Sequence, residues 1–110
     1  MEIRFRTRRL QRLCNSHKEL KRGFGELADV IALRLQLLAN ANHLGQVPHS
    51  MPIHRHELTG RRSGQFAVNP RNSHRLVFRP DHNPVPVRLD GGIDVNAVTA
   101  IEIIEIIDYH

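Results

Sequence analysis

The most restrictive feature of this 110-residue chain is the run from Ala97 to Tyr109, where Ile101, Ile103, Ile104, Ile106 and Ile107 crowd together. β-Branched side chains at nearly every position suit a strand buried on both faces, and such a strand belongs in the middle of a sheet. Glu102 and Glu105 lie an odd number of positions apart, so strict alternation fails between them and a bulge is expected there. The rest of the chain must supply neighbours for this strand and a layer that covers at least one face of the sheet.

Three segments qualify as neighbours. Residues 2–6 alternate strictly, with Ile3 and Phe5 on one face. Gln65 to Asn69 puts Phe66 and Val68 on one face. Arg75 to Arg79 puts Leu76 and Phe78 on one face and Arg75, Val77 and Arg79 on the other. Residues 70–74 join the last two as a hairpin loop. Residues 43–55 hold Gly45, Pro48 and Pro52 and read as a loop. Residues 80–96, with Pro80, Pro84, Pro86, Gly91 and Gly92, read as a longer loop with a short extended piece near Val85–Leu89.

The covering layer comes from the first third of the chain. Thr7 can cap a helix whose stripe is Leu10, Leu13 and Cys14. Asn15 and Ser16 interrupt it, and Ser16 can cap a second helix over residues 17–42. There Leu20, Phe24, Leu27, Ile31, Leu35 and Leu38 recur at spacings of three and four, and Val30, Leu33 and Leu37 widen the stripe. Gly23 and Gly25 weaken its first third by roughly 1 kcal/mol each relative to Ala, so a break is expected there. The fold class is therefore α+β: one domain over residues 1–110, with two N-terminal helices packed on one face of a small antiparallel sheet. The helices cover Phe66, Val68, Leu76 and Phe78. The opposite face presents Arg75 and Arg79, a platform for an anionic ligand.

Charge points the same way. Residues 1–89 hold all 16 Lys and Arg against six carboxylates, a net of +10, whereas residues 90–110 hold five carboxylates and no Lys or Arg. A basic body attracts polyanions by releasing their condensed counterions. RNA, a ribosome, DNA, an anionic membrane or an acidic protein would fit, as would a merely solvated basic surface. The longest apolar runs fall far short of the ~20 residues needed to cross a bilayer. No apolar segment follows the basic N-terminus, so no signal peptide is expected. A lone cysteine, Cys14, favours a cytosolic protein. Among the eight histidines, His54 and His56 sit two apart, but two ligands fall short of a zinc site and no metal or other cofactor is expected. His17, His43, His49, His74 and His82 are expected at the surface.

Several pieces, in order, resemble the RelE superfamily of toxins, and its HigB branch in particular. Residues 2–10 resemble that branch's first strand and helix. The stretch His56, Glu57, Leu58, Thr59, Gly60 followed by Gly64 to Val68 resembles its "H-x-L-x-G … G" turn into a strand. His74 to Phe78 resembles its "R-(I/L)-x-F" strand, and Asp108, Tyr109 and His110 its closing "D-Y-H". The resemblance covers essentially the whole chain. It implies a RelE-like ribonuclease fold and a toxin encoded beside a helix-turn-helix antitoxin, in a pair that represses its own operon. Operator DNA would be bound only through the antitoxin. It also implies cleavage of messenger RNA on the ribosome in the cytoplasm, by attack of a 2′-hydroxyl on its adjacent phosphate. By motif match His56, Arg75, Asp108, Tyr109 and His110 would be catalytic, and Arg61, Arg62 and Arg79 would contact RNA. Many relatives carry Lys three residues after the matched histidine, where this chain has Thr59. Arg61 or Arg62 would then supply the charge.

The residue types suit that chemistry without a metal. Cleavage needs a base for the 2′ proton, an acid for the departing 5′ oxygen and a cation for the crowded phosphate. His56 and His110 can serve as base and acid, and Arg75 can hold phosphate oxygens bidentately. Tyr109 can stack on a base or donate to phosphate, and Asp108 can orient a histidine or accept the nucleophile's proton. His110 ends the sequence, so its own α-carboxylate favours the imidazolium, which suits an acid. Two other functions share these features: a ParE-like gyrase poison on the same fold, and a catalytically degenerate RNA- or ribosome-binding module.

Overall fold

The structure, a computed structural model, describes residues 1–71 and 74–108. The expected positions Tyr109 and His110 lie outside the described residues. Five strands and three α-helices follow in the order β1 (Glu2–Phe5), α1 (Arg8–Asn15), α2 (His17–Phe24), α3 (Ala28–Asn40), β2 (His56–Glu57), β3 (Phe66–Val68), β4 (His74–Pro80) and β5 (Ala100–Asp108). The strands form one sheet in the order β1-β5-β4-β3-β2, so the isoleucine-rich strand is an interior one, flanked by β1 and β4.

The helices begin where the sequence places their caps. The Thr7 hydroxyl accepts from the backbone N–H of Leu10 at 3.0 Å, and the Ser16 hydroxyl from that of Glu19 at 3.2 Å. The expected long second helix is broken. Gly25 takes φ 57° and ψ −124°, a conformation that side-chain-bearing residues avoid, and a 3₁₀ turn over Gly25–Leu27 leads into α3. The break turns the chain so that α2 and α3 close on one another through Leu20, Ala28 and Ile31, with Leu13, Phe24 and Leu27 alongside. Burial lifts the thiol of Cys14 to about 11, so it stays protonated near neutral pH.

The main core lies between this helical layer and one face of the sheet. Phe66, Val68, Leu76, Phe78, Ile101 and Ile103 meet Leu38, Leu44 and Val47, with Ile3, Phe5, Leu10 and Leu35 closing the sides. Phe66 and Phe78 are cross-strand partners whose rings stack at 6.1 Å. Leu33 departs from the expected stripe: it is 57% exposed, on the outer side of α3.

The sheet is mixed rather than wholly antiparallel. β2, β3, β4 and β5 pair antiparallel, but β1 pairs parallel with β5, aligning Ile3 with Ile101 and Phe5 with Ile103. Alternation assigns a face to each residue but is the same read in either direction, so it carries no information on strand direction. The expected bulge is present. Val77 pairs with Glu105 and Phe78 with Ile103, which leaves Ile104 as the extra residue on β5. Ile103 and Ile106 therefore join the helix side, while Ile104 and Ile107 join the other. No helix among the described residues is long and apolar enough to cross a membrane.

Candidate functional site

The face of the sheet away from the helices has an apolar floor and a charged rim. Leu58, Ala67, Val77 and Ile104 form the floor, with Ile107 packed against them. The register puts His56, Ala67, Val77 and Glu105 in one row across four strands. β4 alternates Arg75, Val77 and Arg79 onto this face, as its sequence predicts.

His56 is the best-defined polar group there. It sits on the short edge strand β2 and not in the turn that the motif alone suggests. Its Nδ1 lies 2.8 Å from the carbonyl oxygen of His54. A carbonyl only accepts, so Nδ1 carries the proton and Nε2 is left as the acceptor in the neutral ring. The ring is half-buried and stacks on that of His54, with centroids 4.3 Å apart and planes 19° apart. Burial holds the His56 pKa below the usual histidine value. The His54 carbonyl pulls the other way, and the positive charges of His54 and Arg75 add to the depression.

That coupling places Arg75 within electrostatic reach of His56. Arg75 is half-buried on the uncovered face and pairs across the strands with Ile107. Asp108 is one position further on, opposite His74, so alternation turns it toward the helix side. Its carboxylate lies 3.8 Å from Nε2 of His74, whose ring meets Phe24 of α2 edge-on at 6.4 Å. His74 is thus half-buried and ties α2 to the sheet rather than lying free on the surface. The structure puts His56 and Arg75 on the same face of the sheet, on strands β2 and β4 with β3 between them, and pairs His74 with Asp108. His82 is also engaged: its Nε2 accepts from the backbone N–H of Thr99 at 3.0 Å.

The three arginines expected to contact RNA differ in their surroundings. Arg62 lies on the loop between β2 and β3, where it donates to Gln65 Oε1 at 2.9 Å and pairs with Glu105. Arg79 pairs with Glu102 through Nε at 2.7 Å. Arg61 is exposed on the 3₁₀ turn Gly60–Arg62, with no carboxylate partner among the described residues. The loop closes through Gly64 at φ 86° and a 2.8 Å bond from Leu58 N–H to Gln65 O. Sequence reasoning missed Glu105 as a partner for this loop, although an acid inside an isoleucine run is a visible signal. It also missed His54 as anything but a weak metal ligand. Among the described residues no three His, Cys, Asp or Glu side chains gather where a metal ion could sit.

No protein-family model matches the chain, and no curated protein matches it. Solved structures do. The YoeB-YefM complex from Staphylococcus aureus superposes with a TM-score of 0.56 at 15% identity, over 100% of this chain and 97% of that one. The YoeB/ParE toxin from Agrobacterium tumefaciens superposes with a TM-score of 0.54 at 16% identity, over 100% of this chain and 99% of that one. At such identities the likeness is one of fold.

Proposed function

Because the chain has the RelE/ParE-like toxin fold, we propose that it is the toxin of a type II toxin–antitoxin pair, of the HigB type, and an endoribonuclease. The observation that carries this reading is the tautomer-fixed His56, its pKa held below the usual histidine value, on the same sheet face as the permanently charged Arg75 and within its electrostatic reach. A base and a phosphate clamp on one open surface are what metal-free RNA cleavage requires.

His56 Nε2 takes the proton of a ribose 2′-hydroxyl. The 2′ oxygen attacks the adjacent phosphorus, and the bond to the 5′ oxygen of the next nucleotide breaks. The products are a 2′,3′-cyclic phosphate and a 5′-hydroxyl, the latter protonated by an acid. Arg75 stabilises the extra charge on the phosphate oxygens as the transition state forms. The motif assigns the acid to His110 and a base- or phosphate-contacting role to Tyr109, with Asp108 orienting this end of the strand. Arg61, with no competing carboxylate among the described residues, is the leading RNA contact of the β2–β3 loop, and Arg62 and Arg79 reach RNA by exchanging partners.

The messenger is cut on the ribosome, in the cytoplasm, and a helix-turn-helix antitoxin restrains the toxin and carries the pair to operator DNA. That one structure of this fold is itself a complex, YoeB-YefM, supports a protein partner. Inducing the wild type and His56→Gln in growing cells tests the reading. Growth arrest with new 5′ ends inside translated messages, both lost in the variant, is the expected result. DNA breaks with intact messages would replace the nuclease with a gyrase poison, and neither effect would leave a binding module.

A further inference from the structure

His54 has no part in the chemistry above, yet its conformation is costly and its contacts are specific. It is the only described non-glycine residue with positive φ, at 53°. That left-handed conformation persists only where the surroundings over-determine it. Here they do. The His54 N–H donates to Ser50 O at 2.9 Å, and its neighbours on either side are also pinned: Ile53 O accepts from Asn69 N–H at 2.8 Å, and Arg55 N–H donates to Pro48 O at 2.9 Å. The Arg55 side chain adds a bond from Nε to Val47 O at 3.0 Å. On the ring, Asn69 Nδ2 lies 3.4 Å from Nδ1 of His54, and an amide N–H there makes that nitrogen an acceptor. The left-handed turn bends residue 54 so that both its carbonyl and its ring face His56.

We propose that His54 is a positioning residue for His56: its carbonyl fixes the His56 tautomer, and its stacked ring keeps the His56 imidazole uncharged and shielded from water. Two imidazoles stacked at 4.3 Å do not both carry a proton readily, because like charges repel at that distance. The groups facing His56 are His54 on its own segment, Arg75 on β4 and the apolar Ala67 on β3. The charge of Arg75 therefore acts in the same sense as burial, and no carboxylate is aimed at the ring among the described contacts.

This inference rests on His56 being the base, but its test does not. The imidazole resonances of His56 are followed by NMR against pH in the full-length chain, for the wild type, His54→Asn and His54→Gly. Asn and Gly both tolerate the left-handed backbone, and both keep the carbonyl while removing the ring. In both variants the His56 midpoint is expected to move up toward the ordinary histidine value, with amide spectra otherwise native. The acid limb of the RNA-cleavage profile then moves up with it. An unmoved His56 midpoint in two folded variants overturns the role of His54, whatever the enzyme does. A moved midpoint in a protein that cleaves no RNA leaves the pair intact and removes the nuclease instead.

Discussion

At the scale of single residues, protonation and pairing decide what the uncovered face can do. His56 is held neutral in the fold more strongly than in the unfolded chain, whose histidines titrate near 6.5. The sign follows from linkage: a depressed histidine pKa makes folding less favourable as pH falls through 6.5, because the unfolded state binds the proton more readily. The stability of wild type relative to His56→Gln should therefore shrink between pH 7 and pH 5 in urea denaturation, and a difference that grows would show the opposite shift. The arginines separate in a second experiment. Among the described residues Arg61 has no carboxylate to leave, whereas Arg79 must give up Glu102 to meet a phosphate. Arg61→Gln is expected to weaken binding to an uncleavable RNA more than Arg79→Gln. Equal losses would mean that surface pairing, worth at most about 1 kcal/mol, does not govern which arginine is used.

At the scale of elements, the break between α2 and α3 sets how the helices lie on the sheet. Gly25 at φ 57° has no substitute among residues with a Cβ, so Gly25→Ala should destabilise the protein by about 1–2 kcal/mol in urea denaturation. A neutral effect would show that the turn relaxes into a continuous helix. Much of this layer was legible in advance, because caps and stripes are local chemistry: Thr7, Ser16 and the leucine spacing specify helix starts and faces. Alternation likewise read out the faces of β1, β3 and β4, and the two glutamates marked the bulge in β5. What escaped was non-local. The direction of β1 leaves no trace in a period of two. β2, at two residues, is too short to show any period and exists because Ala67 and Phe66 of β3 offer it a partner. In the site, Arg75 could be placed on the open face from alternation alone. The left-handed turn that stacks His54 on His56 could not, since it depends on anchors at Val47, Pro48, Ser50 and Asn69. Asp108 shares a motif with its neighbours, but the register turns it to His74 and not to the side of Arg75.

At the scale of the whole molecule, cations lie on both layers, while the acids of residues 90–110 are largely spent within the fold. Glu102 and Glu105 neutralise Arg79 and Arg62, and Asp90 pairs with Arg88. Meanwhile Arg9, Arg12 and Arg22 line a groove of about 810 Å³ against α1 and α2, where Glu19 is the one acid in the lining. A body so charged should bind ribosomes with an affinity that falls steeply and log-linearly with salt. A flat salt response in equilibrium binding would assign recognition to apolar contacts instead. The chemistry proposed for the face bearing His56 and Arg75 is narrower than recognition: cleavage of RNA by the RNA's own 2′-hydroxyl. Its most direct test is chemical analysis of the ends left on messenger RNA incubated with translating ribosomes and the purified protein. The wild type is expected to leave 2′,3′-cyclic phosphates and 5′-hydroxyls, at a rate lower by about 100-fold or more in folded His56→Gln and Arg75→Gln. Ends bearing a 3′-hydroxyl, or full-rate cutting by either folded variant, would contradict it.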